Sequence, residues 1–245
     1  MQLYEGTYRT GLVQLVQDLT DTGGTASSES YTRAEITRDI NSAFDDYQNL
    51  VKQSSGTWQA DDFNHTKYPN MKFNVTSGQQ DYTFTVDEQG NQVQDIYRVE
   101  CKDANGTWKL LTPYDEMLED TALSAQETES GTPTRYYKTA NGIFLDRTPN
   151  YDSTLGIRMF YTRSPDYFTI TNATTDDTTE PGIPNGHHRY LAVKPAFWYW
   201  LPKDSAKANV FLSEIQRMEL SIGKDIALRN RDERPRMSAH AESNK

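Results

Sequence analysis

Cysteine is nearly missing from this 245-residue chain, in which Cys101 stands alone. One thiol makes no internal disulfide framework and fits a reducing context. Apolar residues are scarce too, at 35% with tyrosine counted, below the usual share of a globular chain. The core expected of one copy is therefore thin, with neighbours supplying part of the burial. The longest apolar run, residues 196–201, has six members, whereas a membrane span needs about 20. The opening MQLYEGTYRT has neither the basic nor the apolar region of a secretory signal. Positive charge is also in deficit, with 25 Lys and Arg against 35 Asp and Glu and a net charge of −10. That balance argues against a protein that coats nucleic acid by gripping phosphates, although a chain that surrounds DNA without holding it can be acidic.

Chemical motifs are equally sparse. There is no Walker loop, no G-x-G-x-x-G after a strand and no G-x-S-x-G elbow. Cys101 has no nearby His and reads as a small buried hydrophobe. His187 and His188 are adjacent, so on a helix they point about 100° apart, whereas helical zinc pairs sit at i,i+4. They read as a polar helix start. A glycosidase pair of carboxylates cannot be singled out among so many acids, and Asp115, Glu116, Glu119 and Asp120 read as a solvated face. The expectation is a protein that is not an enzyme and holds no cofactor and no metal.

What is present points to a folded chain. Aromatics reach 11%, with 15 Tyr and 4 Trp, and disordered chains lack them. Leu12, Val13, Leu15, Val16 and Leu19 recur at helical spacing over residues 10–19, and Asp21-Thr22-Gly23-Gly24 stops the run. Thr32-Arg33-Ala34-Glu35 is a capping box. It opens a helix with the apolar stripe Ile36, Ile40, Ala43, Phe44, Tyr47, Leu50 and Val51, and with Arg33, Arg38, Asp39, Asp45 and Asp46 mostly off it.

From about residue 70 the period falls to two. Strands are expected at 71–75, at 82–86, and at 95–101 with Tyr97, Val99 and Cys101 on one face. Asn105-Gly106 turns into Trp108-Lys109-Leu110 as a hairpin. The stretch 113–130 holds six acids and no Lys or Arg; its first part can form a short helix using Met117, Leu118 and Leu123. A second hairpin turns at Asn141-Gly142, and Leu155, Ile157, Met159 and Tyr161 alternate in a further strand. Six to eight antiparallel strands are expected.

Helical signals return at 186–201, where Pro195 is expected to kink or split the helix. Asp204 or Ser205 then caps a closing helix with Ala208, Phe211, Ile215, Met218, Ile222 and Ile226 inward and an Asp225–Arg229 pair outward. The fold class is α+β: a helical bundle formed by the N- and C-terminal helices, with an inserted antiparallel β domain. Its parts are N-terminal helices at 1–60, the β domain at 61–182, C-terminal helices at 183–229 and an extended tail at 230–245. Two groups are candidate partner-binding residues. Trp198 and Trp200 in the aromatic run serve either the core alone or a subunit interface as well. Arg229, Arg231, Arg234 and Arg236 read as a frayed soluble end, as forks for partner carboxylates, or, less well given Asp232 and Glu233, as a DNA contact.

This layout resembles the head-to-tail connector adaptors of tailed bacteriophages, the head-completion or tail tubular A-like family. The residues that carry the resemblance run in order. Tyr31-Thr32-Arg33-Ala34-Glu35-Ile36 leads into Ile40-Asn41-Ser42-Ala43-Phe44-Asp45. The β insertion carries Gly131-Thr132-Pro133-Thr134-Arg135-Tyr136-Tyr137, Asn141-Gly142-Ile143-Phe144-Leu145, Leu155-Gly156-Ile157-Arg158-Met159-Phe160-Tyr161 and Ser164-Pro165. Ile183-Pro184 then enters a helix through His188, Tyr190 and Leu191. The resemblance spans roughly residues 10 to 229 and implies a structural virion protein. Twelve copies would form a homo-oligomeric ring at the capsid–tail junction, assembled in the host cytoplasm. The helices would pack between subunits, the C-terminal Arg tail against the portal protein, and the β domain against a tail or nozzle protein. Genomic DNA would pass through without sequence-specific binding, and no membrane is involved. Two alternatives stay open: another tail or baseplate module that binds protein or glycan through the β domain, and a cell-wall glycosidase.

Overall fold

A computed structural model describes residues 1–23, 31–54, 70–84, 86, 92–114, 129–139, 141–170 and 175–229. The fold is mixed α+β, with four α-helices and a seven-stranded sheet. Two compact units divide the chain, Met1–Asn64 with Pro165–Lys245, and His65–Ser164. The β region therefore closes at Ser164, short of the expected boundary at 182. Residues 165–170 belong with the helices because Phe168 is buried in their core and its backbone N–H and C=O are both held by the Asn41 side-chain amide.

The helical unit contains α1 (Leu12–Thr20), α2 (Arg33–Ser54), α3 (Tyr190–Trp200) and α4 (Ser205–Arg229). Helix α1 ends at Asp21, whose φ of 56° is left-handed and whose N–H reaches the Gln17 carbonyl. Helix α2 starts at the expected box. The Glu35 carboxylate accepts from the Thr32 N–H at 2.8 Å, and the Thr32 hydroxyl accepts from the Glu35 N–H at 3.3 Å. Asp204 opens α4 by accepting from the N–H groups of Ala206 and Lys207 at 3.0 and 3.1 Å. Residues from all four helices share one apolar core, including Leu12, Val16, Ile36, Ile40, Phe44, Leu191, Ile215 and Ile222.

Two expectations about these helices change. Helix α3 runs unbroken through Pro195. The missing N–H costs one bond to Leu191, and the buried proline ring packs inside the unit. Arg33 is buried instead of lying outward; its guanidinium sits 4.0 Å above the Tyr4 ring and donates to the Thr175 carbonyl. Asp225 meets His187, and the Arg229 side chain expected to pair with it lies outside the described residues.

The β unit carries β1 (Asn70–Val75), β2 (Asp81–Thr83), β3 (Val93–Lys102), β4 (Trp108–Pro113), β5 (Arg135–Thr139), β6 (Gly142–Leu145) and β7 (Ser153–Arg163). Their order across the sheet is β1-β7-β3-β4-β5-β6-β2. Neighbours run antiparallel except β4 and β5, which pair in parallel through Thr112–Arg135 and Pro113–Tyr136. The inserted sheet is thus mixed where an antiparallel one is expected. Residues 114–134 separate these two strands, long enough for the crossover that parallel pairing requires. The short helix expected in the acidic stretch falls at 115–128, outside the described residues.

Register shifts account for the misassigned faces. The ladder slips between Ile96 and Arg98, so Ile96, Val99 and Cys101 share the core face while Tyr97 turns towards Phe160 on the other side. Leu155, expected inward, is exposed at a φ of 48°, and its N–H bonds to the Asn74 side chain where β1 and β7 also slip. Gly142 permits a close crossing: a Cβ there would lie 2.6 Å from the Tyr82 carbonyl. Val99, Cys101, Leu111, Ile143, Leu145, Ile157 and Met159 form the second core.

Candidate interaction surfaces

The low apolar content predicts a thin core, yet each unit closes one of its own. The helical unit does so by admitting tyrosine and histidine together with their hydrogen-bond partners. Tyr47 and His187 are both buried, with the Tyr47 hydroxyl 2.7 Å from His187 Nδ1 and His187 Nε2 3.2 Å from Asp225 Oδ2. A carboxylate only accepts, so Nε2 carries a proton, and in the neutral imidazole that leaves Nδ1 to accept from the tyrosine hydroxyl. This chain of groups joins α2, the 3₁₀ turn Asn185–His187 and α4. His188 is buried as well. Its Nε2–H donates to the Ile183 carbonyl at 3.0 Å, and its Nδ1 lies 2.9 Å from the Met1 nitrogen. Burial pushes the His188 pKa below its ordinary value. The histidine pair, read as a polar helix start, is therefore a buried brace. Side-chain orientation decides this, and one sequence does not display it.

The aromatic run on α3 is used largely within the chain. The Trp200 indole N–H donates to the Leu19 carbonyl at 3.1 Å, capping the end of α1, and Lys207 Nζ lies 3.9 Å above its ring. Tyr199 stacks on Tyr31 at 5.0 Å and carries Lys203 Nζ at 3.3 Å. Trp198 is half-buried against the helical core. Exposed apolar side chains lie on the next element: Val210 is 67% and Leu220 68% exposed on α4, with Leu212 there and Leu201 just before it also outward. Arg229 ends α4. Its side chain, and Arg231, Arg234 and Arg236, lie outside the described residues.

Cys101 has no exposed surface, and burial pushes its thiol up to about 11, a state without nucleophilic thiolate at neutral pH. Among the described residues no three His, Cys, Asp or Glu side chains come together as a metal site, and no helix is long and apolar enough to cross a membrane. On the β unit, Glu100 is buried and accepts from both Arg98 and Arg158. Burial alone raises its pKa, but the two guanidiniums outweigh that and hold the carboxyl below the usual glutamate range. Cross-strand pairing of Glu100 with Arg158 was not anticipated from the sequence, because it depends on the register of β3 and β7. Against models of known families and against curated protein sequences, the chain gives no match.

Proposed function

We propose that the chain is a structural virion protein of a tailed phage, a head-to-tail adaptor that joins the portal to the tail as a ring of twelve copies around the DNA exit channel. In this reading the four helices form a bundle made from both chain ends, and the β unit is an insertion directed at a tail or nozzle protein. The segment from 230 onward, with Arg231, Arg234 and Arg236, docks on the portal.

One observation carries the reading. Side chains from both chain ends, such as Leu12 and Ile36 with Ile215 and Ile222, fill a single core, while the outer side of α4 keeps Val210 and Leu220 exposed. Covering two such residues with a neighbour is worth about 1–2 kcal/mol each, scaled from full burial by the fraction exposed. Repeated around a ring, such contacts favour closed assembly.

The test is the mass of the purified protein alone and with purified portal, by native mass spectrometry. The expected result is a portal-bound ring of the intact chain and its loss in Val210→Asp/Leu220→Asp, with the circular dichroism of both chains alike. An intact chain that stays monomeric and never joins a portal refutes the reading.

A further inference from the structure

One patch of the sheet's outward face, over β1, β7, β3 and β4, is basic in a chain of net charge −10. Its rows are set by the register. Lys72 on β1 pairs with Arg158 on β7, Arg158 with Glu100 on β3, and Glu100 with Leu110 on β4. Arg98 pairs with Phe160 and Lys102 with Trp108. Side chains alternate across a sheet, so this grid lies opposite the core face of Val99, Cys101, Ile157 and Met159. Within these rows Arg98 and Arg158 meet the carboxylate of Glu100, and Lys72 and Lys102 add two further cations, a surplus of three positive charges over that one carboxylate. Lys72 is exposed, and Leu110 beside this cluster is 58% exposed.

The aromatic rings here are not open stacking platforms. Arg158 lies 4.5 Å above Trp108 and 5.3 Å above Phe160, Lys102 lies 5.0 Å above Trp108, and Arg98 is 6.0 Å from Phe160. Single-stranded nucleic acid gains much of its affinity from bases stacked on free aromatic faces, and cations already cover these. What the face offers an anion is guanidinium and ammonium groups held in a fixed array, which suits carboxylates.

The same chain carries the complementary charge. Residues 113–130 hold six acids and no Lys or Arg. Copies that are each strongly acidic repel one another overall, so a contact that sets opposite local charges together is favoured. Within one chain the segment leaves from β4, while Lys72 and Arg158 sit on β1 and β7. Those strands are two to three positions across the sheet, about 10–14 Å away. A cis contact has to close a loop over that span, whereas a neighbour in a head-to-tail contact can lay its segment along the strands.

We propose that this sheet face docks the acidic segment 113–130 of a second copy, a heterologous contact that rests on the ring reading above and names one of its surfaces.

A fluorescent peptide of residues 113–130, titrated into the full chain and followed by anisotropy, tests it. The expected result is saturable binding that weakens at least tenfold between 50 and 300 mM salt, and at least tenfold in Lys72→Glu/Lys102→Glu. Arg98 and Arg158 are left intact because they hold Glu100. Absence of saturable binding, or binding indifferent to the two lysines, overturns the proposal. A twenty-residue oligothymidine that binds more tightly than the peptide through the same lysines overturns it in favour of nucleic acid. Peptide binding seen only when the chain's own Asp115, Glu116, Glu119, Asp120 and Glu127 are changed to amides shows a cis contact and also overturns it. Native mass spectrometry with portal separates the two readings. If the wild type forms no ring, the ring reading fails. If the wild type forms one and Lys72→Glu/Lys102→Glu assembles equally well, this surface fails alone. Restored assembly on adding Asp115→Lys/Glu116→Lys to the lysine variant is the expected positive result.

Discussion

Tyr47→Phe probes the buried brace with little change of shape. Tyr47 has no exposed surface, and its ring packs near Phe44, Tyr190 and His187, at centroid distances of 6.5, 6.1 and 5.7 Å. Phenylalanine keeps those contacts and removes only the hydroxyl. His187 Nδ1 is then a buried acceptor without its 2.7 Å donor, and an orphaned buried group of this kind costs about 1–3 kcal/mol. With a urea dependence of about 2 kcal/mol per molar, a 2 kcal/mol loss lowers the midpoint by about 1 M. Tryptophan fluorescence can follow it. In a Trp108→Phe background Trp198 and Trp200 report on the helical unit, and Trp58 lies outside the described residues. Adding His187→Leu removes the orphaned acceptor and leaves Asp225, which is 55% exposed, to water. The double variant should therefore lose clearly less than the sum of the two single losses. A Tyr47→Phe midpoint within 0.2 M of the parent, about a fifth of the shift argued above, or strictly additive losses, would refute the brace.

Gln48 is buried on α2 with neither its amide nitrogen nor its amide oxygen hydrogen-bonded; Gln48→Leu should raise stability by about 1 kcal/mol, read as a higher urea midpoint. Burial lowers the His188 pKa in the folded state. The unfolded chain therefore takes up the proton first, so this contribution is complete above about pH 6.5 and drains away as the pH falls below it. His188→Gln should flatten the fall in thermal midpoint between pH 6.5 and 5 relative to the parent, and an unchanged slope counts against it. Deleting residues 230–245 should leave circular dichroism and the urea midpoint unchanged while weakening co-sedimentation with portal by tenfold or more; full portal binding by the truncated chain removes the docking role of the arginines.

Local rules read from the residues account for much of this protein. The capping box at Thr32–Glu35, the stripe from Ile36 to Val51, the Asp204 cap and the hairpins at Asn105-Gly106 and Asn141-Gly142 all follow from groups within a few positions of one another. Their hydrogen bonds and burial are set by backbone geometry that recurs in every chain. Register and direction are different, because they depend on partners far along the chain. The slip at Tyr97, the outward Leu155 and the parallel β4–β5 pair are fixed by strands dozens of residues away. So are the burial of His187 beside Tyr47, the engagement of Trp200 with Leu19, and the alignment of Lys72, Arg158 and Lys102 into one basic face. The sequence alone determined which stretches become helices and which become strands. Which side chains meet was decided only by tertiary packing, since one residue of slip exchanges the faces of a strand and a lone polar residue gives no sign of the distant group that will satisfy it.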